Sequence, residues 1–137
     1  MRWKKRTEWG PRTLGSDEWA VLEAQIRADD LAEVEQAVEE LTGFMDFFRA
    51  DLDGVPLSGV TDGQLAVVQR TGEDRRGRRV HAVTFYAGGP VGEAQPHAFD
   101  RLGSSASELV DYLQSEGVGV EEITWTEHPS VKRAFRT

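Results

Sequence analysis

Apolar residues recur at alternating steps of three and four from Leu31 to Leu52: Leu31, Val34, Val38, Leu41, Met45, Phe48 and Leu52. That spacing places them on one stripe of a helix. The positions between carry Glu33, Glu35, Glu39, Glu40, Asp46 and Asp51, so the pattern predicts one long, acidic, amphipathic helix. Ala37, Phe44 and Phe47 widen the apolar strip beyond a coiled-coil seam, which favours packing within the monomer. Asp30 followed by Glu33 has the form of a capping box at the start, and Asp53-Gly54 and Pro56 stop the run. Gly43 costs about 1 kcal/mol relative to Ala inside a helix. The stripe nevertheless keeps its phase across it, so a continuous or gently bent helix is predicted.

Elsewhere the periods are shorter. Residues 1–15 combine Trp3, Trp9, Gly10, Pro11 and Gly15 with five basic residues and read as a basic arm ahead of a single domain over 16–137. Ser16 or Asp17 caps a first short helix, with Trp19, Leu22 and Ile26 at i, i+3 and i+7. Residues 53–63 are turn-rich. Gln64–Arg70 and Arg79–Ala87 read as two strands of an antiparallel hairpin with a charged tip at Thr71–Arg78. On the second strand His81, Val83 and Phe85 share one face, and Val80, Ala82, Thr84 and Tyr86 the other, which predicts an interior strand.

Residues 88–103 show no period and read as a loop. Ser104 or Ser105 then caps a helix through Ser115 that buries Leu109, Tyr112 and Leu113, with Gly117 as its stop. A strand follows over Val118–Thr126. Val118 and Val120 differ in parity from Ile123 and Trp125, which demands a bulge near Glu121–Glu122. Pro129 opens a last short helix. The order α-α-β-β-α-β-α predicts an α+β two-layer domain: a small, mostly antiparallel or mixed sheet of three to four strands, packed by the long helix. The arm is one source for the fourth strand.

Composition narrows the function classes. With no Cys among 137 residues, disulfides, thiolate metal sites and a Cys nucleophile are excluded. No apolar run approaches the roughly 20 residues that span a bilayer, and the basic start Met1–Arg6 is followed by no apolar signal core. A soluble, cytoplasmic protein is the expectation. The net charge of −8 is segregated: residues 13–62 carry −11, whereas residues 1–12 carry +4 and residues 63–101 carry +2. The acidic half argues against nonspecific nucleic-acid binding and admits a basic partner.

Candidate chemistry is sparse, and no motif identifies an enzyme or a resident cofactor or metal. The Gly88-Gly89-Pro90-x-Gly92 turn follows a strand but lacks the Lys-Ser/Thr pair and the helix start of a phosphate loop. The three histidines, His81, His97 and His128, match no metal-ligand spacing. His97, Asp100 and His128 are the candidate polar groups for the alternative of a ligand pocket or small active site under the 88–103 loop, while His81 reads as a packed strand residue. Ser104 and Ser105 read as caps rather than nucleophiles. Trp3, Lys4, Lys5 and Arg6 on the arm, with Arg75, Arg76, Arg78 and Arg79 on the hairpin, combine cations and aromatics in the manner of a nucleic-acid contact. Glu33, Glu35, Glu39, Glu40 and Asp46 are the candidates for docking a protein partner. The leading expectation is a non-enzymatic protein-binding or inhibitor-type domain, toxin neutralisation being one concrete form. A ligand-binding domain or enzyme and a nucleic-acid module are the alternatives. The long stripe or an uncovered sheet edge leaves a homodimer open.

Overall fold

The structure is a computed structural model that describes the backbone of residues 2–4, 18–44, 48–50, 65–87 and 95–132, and side chains over 21–43, 66–86 and 102–126. The elements run β1 (Arg2–Lys4), β2 (Glu18–Ala28), α1 (Leu31–Phe44), β3 (Phe48–Ala50), β4 (Leu65–Glu73), β5 (Arg79–Ala87), α2 (Gln95–Ser115) and β6 (Val120–Lys132). They form one sheet in the order β1-β6-β2-β5-β4-β3. The four long strands are mutually antiparallel, while three-residue β1 and β3 add parallel at the two edges. Helix α1 lies between β2 and β4 in the chain, and α2 between β5 and β6, each link skipping one strand of the sheet. This is the split β-α-β plan of ferredoxin-like domains.

The α+β composition is thus realised, but the expected order α-α-β-β-α-β-α is overturned at four places. The first is Glu18–Ala28. Its Trp19, Leu22 and Ile26 fit a helical stripe, yet Leu22 and Ile26 fit a period of two equally well. Leu22, Ala24 and Ile26 are all buried in the main core, whereas Glu23, Gln25 and Arg27 are half-buried. Pairing on both sides, with β5 and with β6, outweighs local helix preference here. The expected first helix is the central strand.

Second, the predicted 31–52 helix stops at Phe44, and Phe48–Ala50 forms an edge strand paired with Ala66–Val68. Past Gly43 the segment is rich in Phe, which suits a pleated surface better than a helix. Met45 and Leu52 lie outside the described residues. Third, α2 begins at Gln95 within the stretch read as a loop. Pro96 is tolerated in a first turn, and Leu102, Ala106, Leu109 and Leu113 then make one buried stripe. Ser104 and Ser105 are therefore interior to the helix rather than its caps. Fourth, β6 runs on to Lys132 through Pro129, so no last helix opens there. Pairing of β2 with β6 shifts register between Trp19 and Val21, opposite the Pro129 region, and Pro is accepted at such an irregularity. A second shift between Arg27 and Ala28 leaves Glu121 as the extra residue, where the parity change calls for a bulge.

The core lies between the helices and one face of the sheet. Val34, Ala37, Val38 and Leu41 of α1 join the α2 stripe over Leu22, Ala24, Ile26, Val67, Val83, Phe85, Ile123 and Trp125. The opposite sheet face carries Glu23, Gln25, Arg70, Thr84, Tyr86 and Thr126, together with buried Val21, Val68, Val80 and Ala82 outside that main core.

Candidate functional site

The helical layer concentrates negative charge. Asp30 caps α1: its Oδ1 accepts from the backbone N–H of Ala32 at 3.0 Å and of Glu33 at 3.3 Å. From there Glu33, Glu35, Glu39 and Glu40 are all exposed, and α1 contains no Lys or Arg. Glu108 and Asp111 on α2 are exposed as well. The Tyr112 hydroxyl donates to Glu40 Oε2 at 2.8 Å, tying the helices together. That bond raises the Tyr112 phenol, with burial and Glu116 adding to it, to about 12. Among the described residues the two ion pairs lie elsewhere, Arg27 with Glu121 at 3.1 Å and Arg78 with Asp74 at 2.8 Å. The layer's carboxylates thus meet no described cation.

The β4–β5 hairpin is its electrostatic opposite. Asp74 Oδ1 accepts from the backbone N–H of Arg76 at 2.9 Å and of Arg78 at 3.0 Å, while Oδ2 accepts from Arg78 Nε at 2.8 Å. The Arg78 backbone N–H is the main cause holding the Asp74 carboxyl below its ordinary value. Gly77 closes the turn at φ 75°, a conformation that favours glycine. Arg75, Arg76 and Arg79 remain exposed around this tip, whereas Arg78 is held by Asp74.

His81 is 1 % exposed on the helix side of β5. Its Nε2 meets Gln69 Oε1 at 2.6 Å and its Nδ1 meets the Thr71 hydroxyl at 3.2 Å. Gln69 Oε1 only accepts, so Nε2 carries the proton and Nδ1 accepts from Thr71. Burial lowers the imidazole below its usual range, partly offset by Glu35. The packed-strand reading of His81 describes this arrangement. A cavity of about 340 Å³ opens beside the α1 start, lined by Ala28, Asp29, Asp30, Leu31, Ala32 and Arg79. Asp30 already occupies the first-turn amides there, so the helix end offers an anion little.

The remaining sequence candidates are placed by backbone alone or not at all. His97 and Asp100 fall in the first turns of α2, and His128 sits opposite Val21 on β6. Trp3 and Lys4 sit on β1 opposite Ile123 and Thr124. Lys5, Arg6, Asp46 and the 88–92 turn lie outside the described residues. Among the described residues no cluster of His, Asp and Glu could hold a metal ion, and no helix is long and apolar enough to cross a membrane.

Sequence reasoning missed the polar sheet face. Glu23 and Arg70 both act on the Tyr86 phenol, which burial chiefly raises: Glu23 raises it further and Arg70 lowers it. The signal available was the period of two through Glu23, Gln25 and Arg27, obscured by the helical reading of the same residues. Comparison with known proteins found no match to a family model, to a curated protein or to a solved structure.

Proposed function

We propose that this chain is a non-enzymatic docking domain that binds a basic surface of a partner protein through its helical layer. The observation that supports the reading most is the excess of exposed carboxylates on that layer. Glu33, Glu35, Glu39, Glu40, Glu108 and Asp111 are exposed on two helices, and none pairs with a described cation. The helices are packed on the sheet and joined by Tyr112–Glu40, so the carboxylates project from a fixed platform. Such a surface steers a basic partner by long-range attraction and binds it in a salt-dependent way. An inhibitor that masks a basic active site, a toxin's included, is the concrete form of the proposal.

The test is capture from the native host at low and high salt, comparing the natural chain with the double variant Glu35→Lys, Glu39→Lys. Both positions are exposed, so the variant is expected to fold. A partner retained by the natural chain, released by salt and lost by the variant supports the reading. The same proteins retained by both chains, or none by either, refutes it.

A further inference from the structure

One edge of the sheet is only partly covered. Strand β3 pairs with residues 66–68 of β4, while β4 runs on to Glu73. The backbone N–H of Asp74 donates to the Arg78 carbonyl at 2.9 Å, so these two form a hydrogen-bonded pair at the end of the hairpin. Alternation along the ladder then turns the N–H and C=O of Gly72 and Arg70 toward β5. Those of Glu73, Thr71 and Gln69 turn outward, past the end of β3. Among the described residues these outward groups meet no other strand. Thr71 and Glu73 are exposed and Gln69 is half-buried. Side chains at 69, 71 and 73 point to the helix side, where Gln69 and Thr71 both bond His81. Helix α1, which carries no Lys or Arg, packs against β4 on that side. Glu40 bonds Tyr112 and so marks the flank of α1 that faces α2. Glu39 and Glu35 lie about 100° and 140° around the helix from it, on the flank toward β4. Glu35 acts on His81, between Gln69 and Thr71.

We infer that the 69–73 edge receives an extended segment of the partner as an added strand, basic at alternate positions with those side chains facing α1. This rests on the docking reading above and names the form in which the basic surface arrives. An added strand lies about 4.8 Å from β4 and gives the outward N–H and C=O groups their hydrogen bonds. β3 already pairs along this edge at 66–68, so the twist of β4 admits a neighbour there. Side chains of the added strand alternate between the two sheet faces. Those on the helix side meet Glu73, Glu35 and Glu39, all exposed. Those on the other side meet Arg70 and Gly72. A segment basic at every position is opposed by Arg70, and one acidic toward α1 is opposed by the carboxylates. Alternation of basic and neutral residues satisfies both faces.

The experiment follows the full chain by NMR and amide hydrogen exchange, at low salt, during titration with the peptide acetyl-Lys-Thr-Lys-Thr-Lys-Thr-Lys-amide. The block peptide acetyl-Lys-Lys-Lys-Lys-Thr-Thr-Thr-amide controls for charge alone. In the free protein the amides of Gln69, Thr71 and Glu73 should exchange faster than those of Arg70 and Gly72, which β5 protects. Near saturation the alternating peptide should slow those outward amides about tenfold, in proportion to the bound fraction. Glu73→Pro removes an outward N–H and leaves the β5 ladder intact, as proline does on an edge strand. It should weaken binding about fivefold, as loss of one hydrogen bond does, and the block peptide should bind weaker by at least as much. Uniformly slow exchange in the free protein overturns the inference, as does no saturation up to about 10 mM. So do equal binding of the two peptides and undiminished binding by folded Glu73→Pro. Shifts confined to α1 and α2, with no slowing at 69, 71 and 73, also overturn it but leave the docking reading standing. A host partner lost by Glu35→Lys, Glu39→Lys yet kept by Glu73→Pro separates the two in the same way.

Discussion

Replacing Ala24 with Asp, and separately Gln25 with Asp, decides whether residues 18–28 form the central strand. Ala24 is 0 % exposed and sits in register between Val83 of β5 and Trp125 of β6. A carboxyl group fully buried there has its pKa raised by about 3 units, and each unit is worth about 1.4 kcal/mol. Desolvation therefore costs about 4 kcal/mol at neutral pH. Overpacking against Trp125 and Val83 adds about 1–3 kcal/mol. The total, about 5–7 kcal/mol, rivals the whole stability of an ordinary domain. Gln25 is half-buried on the other face, and its replacement should cost about 1 kcal/mol, mainly through the low strand preference of Asp.

A helix with Trp19, Leu22 and Ile26 inward would put Ala24 about 200° around from Leu22, on the wet side. The ranking of the two variants would then disappear. Urea titrations followed by circular dichroism measure both costs. The pH dependence has a definite sign, because the carboxyl introduced by Ala24→Asp titrates higher in the folded state than in the unfolded one. Its penalty is full above the raised folded pKa, shrinks as pH falls, and is gone below about 3.9. If the aspartate variant does not fold, Ala24→Leu supplies the same comparison at about 1–3 kcal/mol. Equal costs at positions 24 and 25 would refute the strand assignment.

Three further outcomes follow from the packing and the titrations. Leu109, 0 % exposed on α2, should lose about 3 kcal/mol when changed to Ala, read as a fall in melting temperature of about 10 °C by calorimetry. Gly77→Ala should cost about 1–2 kcal/mol because φ there is 75°, with hydrogen exchange quickening in the β4–β5 tip before anywhere else. His81 titrates lower folded than unfolded, so stability is full above its unfolded value of 6.5 and declines as pH falls from there toward the lowered folded value. Urea midpoints between pH 5 and 7.5 should show that decline, His81→Gln should flatten it, and Glu35→Gln should extend it to lower pH by removing the charge that supports the imidazolium.

The parts of the fold legible in the sequence are those where one period excludes the other. Arg79–Ala87 contains too many β-branched and aromatic residues, spread over both faces, to be a helix, and β5 has those bounds. Leu31, Val34, Val38 and Leu41 do not fit a strand, and α1 covers them. Glu18–Ala28 satisfies both periods, and only pairing with β5 and β6, some sixty to a hundred residues away, selects the strand. The start of α2 was hidden for another reason: Pro96 and Gly103 are loop residues by composition, yet a first-turn proline and an exposed glycine are both tolerable in a helix held by four buried apolar residues.

The same asymmetry governs the acidic layer and the polar sheet face. A helix brings residues three and four apart onto one face, so the acidic layer could be read from a few turns of sequence. A sheet face is assembled from residues on different strands, and Glu23, Arg70 and Tyr86 become neighbours only once β2, β5 and β4 are in register. Reading β2 as a helix turns Glu23 into one more solvated carboxylate on an acidic segment. Reading it as the central strand makes Glu23 a carboxylate held beside Thr84 with no described cation to meet it. A single element assignment therefore decides whether Glu23 shares a helix face with Arg27 or a sheet face with Thr84 and Tyr86, so the Ala24 and Gln25 comparison bears on that polar face as directly as on the fold.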